Sequence, residues 1–262
     1  MEFEIAQDHL PFEWGYDTKQ IMETVKENNI QTASSPQMDE MLAAGVHFGH
    51  KVSKTHPKMR QYIAGVRNTA HIINLEKTEE KLKDAEKALQ KLAADGKTIL
   101  FIGTKVQAKG PVKETAVECG MPYVAERWIG GLLTNFSEIT KRIEYLKSLE
   151  AKQASEDFAK YTKKEQHDMQ KEMEKLNDKF GGIKKMTKLP DAMFVVDLEE
   201  NAIAVAEARL KKIPIFAISD TNTDPTTVTY AIPANNDAIS SVRYILAKIK
   251  QAILAGKTSQ PA

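Results

Sequence analysis

KTILFIG, residues 97–103, decides how this chain folds. It is a short, continuous apolar run closed by Gly103, the pattern of a strand covered on both faces in a parallel sheet. AMFVVD (192–197) and IPIFAISD (213–220) repeat the pattern. The shorter PYVAE (122–126) and VTYAIP (228–233) suit the same role. Helical periodicities lie between these runs. Strands that alternate with helices imply right-handed crossovers and a helix-covered parallel sheet. The expected fold class is therefore α/β, doubly wound.

The helices read outward from that stretch. Thr78 can cap the helix before it, with Glu79 and Glu80 in the first turn; Leu82, Ala85, Leu89 and Leu92 form its stripe, and Asp95-Gly96 ends it. Gly110-Pro111 predicts that the next helix starts at Pro111. Residues 199–212 read as a helix with Ile203, Ala206 and Leu210 inward. The last helix is expected to start at Asn236 or Asp237, to turn Ile239, Val242, Leu246, Ile249 and Ile253 inward, and to end at Gly256.

Residues 136–180 break the alternation. Phe136, Ile139, Ile143 and Leu146 recur every three or four positions, and so do Met169, Met173, Leu176 and Phe180. Asn135 with Glu138, and Thr162 with Glu165, resemble capping boxes. Two narrow stripes rich in Lys and Glu predict an antiparallel helical hairpin of coiled-coil type. It is inserted between the second and third parallel strands.

Charge is unevenly spread. The formal net charge is +1, yet residues 1–40 hold nine Asp/Glu against Lys19 and Lys26, and the other 222 residues hold 27 acids and 35 bases. Residues 1–37 thus read as an acidic extension, compositionally a solvated and flexible one that can also meet a basic neighbour. It contains a weak helical pattern at Ile21, Met22 and Val25, and a linker at Ser34, Ser35 and Pro36. A short helix is expected near Asp39, closed by Gly45. Residues 61–75 read as a hairpin of QYIAG and HIINL joined by VRNTA. Residues 257–262 form the tail.

From Met41 to Leu75 there is no acidic residue, but there are Lys51, Lys54, Lys58, Arg60 and Arg67, with four of the six histidines (His47, His50, His56, His71). A polyanion is the simplest partner for such a segment. His47 and His50 have H-x-x-H spacing, but the segment offers no carboxylate and the chain has one cysteine, Cys119, so packing or hydrogen-bonding roles are favoured over a metal site. One cysteine also excludes an internal disulfide framework.

Ligand loops of an open parallel sheet lie beyond the C-terminal strand ends. Here they are GTK (103–105), RWIGGLLTN (127–135), DLEEN (197–201) and SDTNTDP (219–225). Neither a Walker loop nor a strand followed by G-x-G-x-x-G is present. Asp197, Asp220 and Asp224 suit turns better than metal or base chemistry. Arg127-Trp128, followed by Gly130-Gly131, can pair a phosphate and stack on a base; equally, it can be a core Trp beside a surface Arg. No apolar run approaches a membrane span, and MEFEIAQDHL lacks the features of a signal peptide, so a cytoplasmic protein is expected.

GVHFGH, HPKM, HIINLEKT, ILFIGTK, RWIGGLLTNF, YTKKE, GGIKKM, LPDAMFVVD, IPIFAISDTNTDP and IPANNDAI occur in that order. From Met38 to Gly256 the chain closely resembles the bacterial type of the small ribosomal subunit protein S-two family. The resemblance implies a flavodoxin-like parallel sheet with a protruding helical hairpin. It also implies a structural, non-catalytic protein, held in the ribosome on small-subunit ribosomal RNA near the junction of head and body; no cofactor is expected and no residue is assigned to a metal. Neighbouring proteins would include the messenger-binding small-subunit protein number one. The expected RNA contacts are Lys51, Lys54, Lys58, Arg60, Lys105, Arg67, Arg127 and Asn135. The chain departs from the family in its longer acidic start, in Gly110-Pro111, in Thr55-His56 before PKM and in a tail that stops at Ala262.

Overall fold

The computed structural model describes residues 36–155, 158 and 161–258. The expectations for residues 1–35 (the acidic extension, its weak helical pattern and the linker serines) and for the last four tail residues lie outside them. In chain order the elements are α1 (Pro36–Ala43), β1 (Phe48–Lys51), β2 (Ile63–Arg67), β3 (Ala70–Ile73), α2 (Leu75–Ala94), β4 (Ile99–Ile102), α3 (Val106–Glu118) and β5 (Tyr123–Val124). Then follow α4 (Phe136–Ala154), α5 (Lys163–Phe180), β6 (Ala192–Val196), α6 (Ala202–Leu210), β7 (Ile215–Ser219), β8 (Tyr230–Pro233) and α7 (Ile239–Thr258).

Five strands form one wholly parallel sheet in the order β5-β4-β6-β7-β8. Counted along the chain this is 2-1-3-4-5, the flavodoxin-like order, with its switch point between β4 and β6. Every residue of β4, β6 and β7 is buried, because helices cover both faces. Side chains alternate across the strand. Ile99 and Phe101 join Leu82, Leu89, Val112, Leu246 and Ile249 from α2, α3 and α7. Leu100 and Ile102 join Leu132, Ile139, Ile143, Phe180 and Val205 on the opposite face. Each such large side chain contributes about 1.5–3 kcal/mol by leaving water. Among the described residues no helix is long and apolar enough to cross a membrane.

Several local expectations need correction. The cap of α2 is Asn74, whose side chain accepts the Glu76 and Lys77 N–H groups at 2.9 and 3.3 Å. Thr78 is fully buried and donates to the Pro233 carbonyl at 2.6 Å, tying α2 to β8. Pro111 lies inside α3 rather than at its start. One missing N–H is tolerated because Ala108, Pro111, Val112, Thr115 and Ala116 are all packed inward. In α6 the inward residues are Ala204, Val205, Glu207 and Ala208, while Ile203 and Leu210 are 65% and 75% exposed. Helix α7 starts at Ile239, itself 51% exposed, after Asn235 accepts the Asp237 and Ala238 N–H groups; it runs two residues past Gly256.

Helices α4 and α5 run between β5 and β6. Thr162 and Glu165 form a reciprocal capping box at α5, whereas the Asn135 side chain makes no capping bond at α4. Tyr145 of α4 donates to Glu172 of α5 at 3.2 Å, and Leu149 faces Met169 and Met173.

Candidate nucleic-acid interface

The acid-free segment builds a second, three-stranded antiparallel sheet in the order β1-β3-β2. The hairpin read from the sequence is β2–β3; its turn holds Asn68 and Thr69 at φ of +48° and +68°, as a type I′ turn requires. Strand β1 was not anticipated, because FGHK is too short and polar to carry an alternation. It seats the sheet against the C-terminal end of β7. The His50 N–H donates to Thr221 Oγ1 at 2.9 Å and the His56 N–H to the Thr221 carbonyl at 2.8 Å. Glycine is needed at 49, since a Cβ there would lie 2.7 Å from the Thr221 methyl.

The five cations of this segment divide into two groups. Lys51, Lys54, Arg60 and Arg67 are exposed, and none forms an ion pair among the described residues. Lys58 is tied down instead: its ammonium lies 2.8 Å from Asp224 and 2.7 Å from Thr226 Oγ1. That ammonium, helped by Thr226 and opposed by burial, holds the Asp224 carboxyl far below its ordinary value.

The histidines are structural joints. His47 and His71 are buried, and Thr55 bonds His71 Nε2. Burial, with Arg67 adding to it, pushes the His47 imidazole down to about 4. His56 Nδ1 accepts the Lys58 N–H at 3.3 Å. His50 lies 3.1 Å from Asp220 and 3.4 Å from Asp237. The Asp220 carboxylate holds His50 above its usual value against burial. One ligand atom from each of these three residues falls within 4.8 Å of the other two. One imidazole and two carboxylates could hold a divalent cation such as zinc; the imidazole also lies at ion-pair distance from both carboxylates. The carboxylates that the acid-free segment lacks are thus supplied by distant loops.

Lys105 belongs to that cluster. It lies at the switch point, 2.6 Å from Asp237, 2.9 Å from Asp197 and 3.2 Å from Asn236 Oδ1. Burial works against its ammonium, and the Asp237 and Asp197 carboxylates more than offset that. Asp197, at φ +71°, also accepts the Glu199 and Glu200 N–H groups. These side chains meet one another at the strand ends, where such sheets commonly bind ligands.

The 127–135 loop is organised by one residue that the sequence did not flag. Glu207 of α6 is buried, and its carboxylate accepts five hydrogen bonds: from Trp128 Nε1 (3.0 Å), the N–H groups of Gly131 (2.8 Å), Leu133 (3.0 Å) and Thr134 (3.1 Å), and Thr134 Oγ1 (3.1 Å). Burial pushes this carboxyl up, and the indole and backbone donors bring it below its usual value. Trp128 is therefore turned inward, 9% exposed, so of its two readings the core Trp beside a surface Arg is the one observed. Gly131, at φ +89°, makes the turn. Arg127 and Asn135 come together on the rim of a groove of about 640 Å³ that also takes in Arg142 of α4 and Lys179 of α5. A Glu inside a helix whose only other charged residue is Arg209, four residues before a Lys pair, was the available signal for Glu207.

A profile of the ribosomal protein S2 family matches residues 41–256. Over 220 residues the chain is 48% identical to the small ribosomal subunit protein uS2 of Fusobacterium nucleatum subsp. nucleatum, covering 84% of this chain and 89% of that protein. With a matching profile over most of its length and such a relative, the chain belongs to the ribosomal protein S2 family, whose members are structural, non-enzymatic components of the small ribosomal subunit.

Proposed function

We propose that this chain holds small-subunit ribosomal RNA near the junction of head and body, through the face built on β1–β3. The carrying observation is that Lys51, Lys54, Arg60 and Arg67 stand exposed and without ion pairs among the described residues, in a stretch that has no carboxylate. Such side chains neutralise phosphates and release counterions, so binding is recognition of shape and backbone rather than of sequence. Lys58 and Lys105 serve this face indirectly, by fixing the scaffold beneath it. The body spans residues 38–256, and α4 and α5 act as one inserted antiparallel hairpin, a reading supported by the Tyr145–Glu172 bond. By composition, residues 1–37 are an acidic extension. The chain works in the cytoplasm within the ribosome, beside other small-subunit proteins, and helps to dock the messenger-binding protein number one.

Crosslinking of RNA in assembled subunits with peptide mapping tests the reading. Nucleotides are expected on peptides covering residues 51–67, and crosslinks only elsewhere would overturn it. In parallel, Arg60→Ala should weaken RNA binding at unchanged stability. Lys58→Ala should instead lower stability by less than about 1 kcal/mol, because its ion pair with Asp224 is half-exposed and screened.

A further inference from the structure

We propose that the groove between the 127–135 loop and helices α4 and α5 is a second RNA-backbone site, which takes backbone phosphates on Arg127, Arg142 and Lys179. The inference rests on the RNA-binding reading above but concerns a different part of the molecule. The three cations come from three separate elements, all are exposed, and none has an ion-pair partner among the described residues. Glu138, the one acid in the lining, is paired with Lys141 at 2.7 Å. The groove therefore presents uncompensated positive charge over a wall of mixed polar and apolar character.

That wall is rigid. Trp128, Ile139 and Phe180 are buried, and the loop is pinned from behind by Glu207. The groove, of about 640 Å³, is open to solvent along one side, so a backbone phosphate can reach its three cations directly. Guanidinium groups bind phosphate oxygens through paired N–H donors. With the Trp128 ring turned inward, no large aromatic face is offered for a base to stack on. The site reads backbone charge, not base identity.

The test compares two charge-reversal pairs in the full chain, Arg142→Glu with Lys179→Glu and Lys54→Glu with Arg60→Glu. Binding of small-subunit ribosomal RNA, of a ten-nucleotide oligouridylate and of polyglutamate is measured over a range of salt. The groove pair should lose tenfold or more in affinity for both RNAs, with a shallower salt dependence and an unchanged unfolding midpoint. Arg142→Gln with Lys179→Gln should move the same way by less, which separates charge from misfolding. If the groove pair binds RNA like the parent while the Lys54/Arg60 pair does not, the groove proposal fails and the β1–β3 reading stands. If neither pair changes RNA binding, the earlier reading fails with it. Loss of polyglutamate binding alone would make an acidic protein segment the occupant and overturn the proposal.

Discussion

The Glu207 carboxylate accepts the Trp128 indole N–H at 3.0 Å, and this single pair links helix α6 to the loop that follows β5. The same carboxylate takes three backbone N–H groups of that loop. A buried charge is costly unless it is fully hydrogen-bonded, and here it is. Removing it reverses the balance. Glu207→Ala leaves four N–H donors without their acceptor and opens a cavity, and should cost about 3–5 kcal/mol in urea unfolding. Glu207→Gln, which keeps the size but replaces one acceptor oxygen with a donor, should cost less. An alanine variant within about 0.5 kcal/mol of the parent would show that the loop is held by something else.

His47 makes stability depend on pH in a defined window. In the folded chain, burial and Arg67 lower it to about 4, whereas an unfolded histidine titrates near 6.5. Between these values the unfolded state binds more protons, so stability falls as pH drops from about 6.5 to about 4. The full effect is at most on the order of 3 kcal/mol. His50, whose value is raised, acts above 6.5 and in the opposite sense. The carboxylates held low, Asp224 and Glu207, act only where carboxyl groups protonate. His47→Gln should flatten the denaturant midpoint against pH across that window. A parent-like slope in the variant would remove His47 as the cause.

The parallel sheet was legible because ILFI (99–102), AMFVV (192–196) and IPIFAI (213–218) are apolar without interruption, and a two-sided cover favours such runs. The five strands and the order of elements follow from this. What could not be read depends on contacts between distant positions. Lys58 and Lys105 look like their unpaired neighbours in the sequence, and only the distant Asp224, Asp197 and Asp237 tie them down. His50 seems to lack a carboxylate until the loops after β7 and β8 deliver two. Thr78 had the residue type of a cap, but Asn74 stood one turn earlier and Pro233 offered Thr78 an acceptor.

Helix α6 gives the sharpest test of how side chains are turned. Seven of its nine residues, all but Glu207 and Arg209, are apolar, so periodicity alone does not select a face. The choice falls to Glu207, which needs the buried donors of the 127–135 loop and swings Ala204, Val205 and Ala208 onto the sheet with it. Ile203 and Leu210 are thereby left in solvent. Leu210→Ser should accordingly change stability by no more than about 0.5 kcal/mol, as at an ordinary surface position. Ala208→Leu, at a site with no exposure, should cost about 1–3 kcal/mol through overpacking. The stripe of Ile203, Ala206 and Leu210 that spacing suggests demands the reverse order. Chemical unfolding of the two variants side by side decides between them, and a costly Leu210→Ser beside a harmless Ala208→Leu would mean that α6 is rotated about its axis.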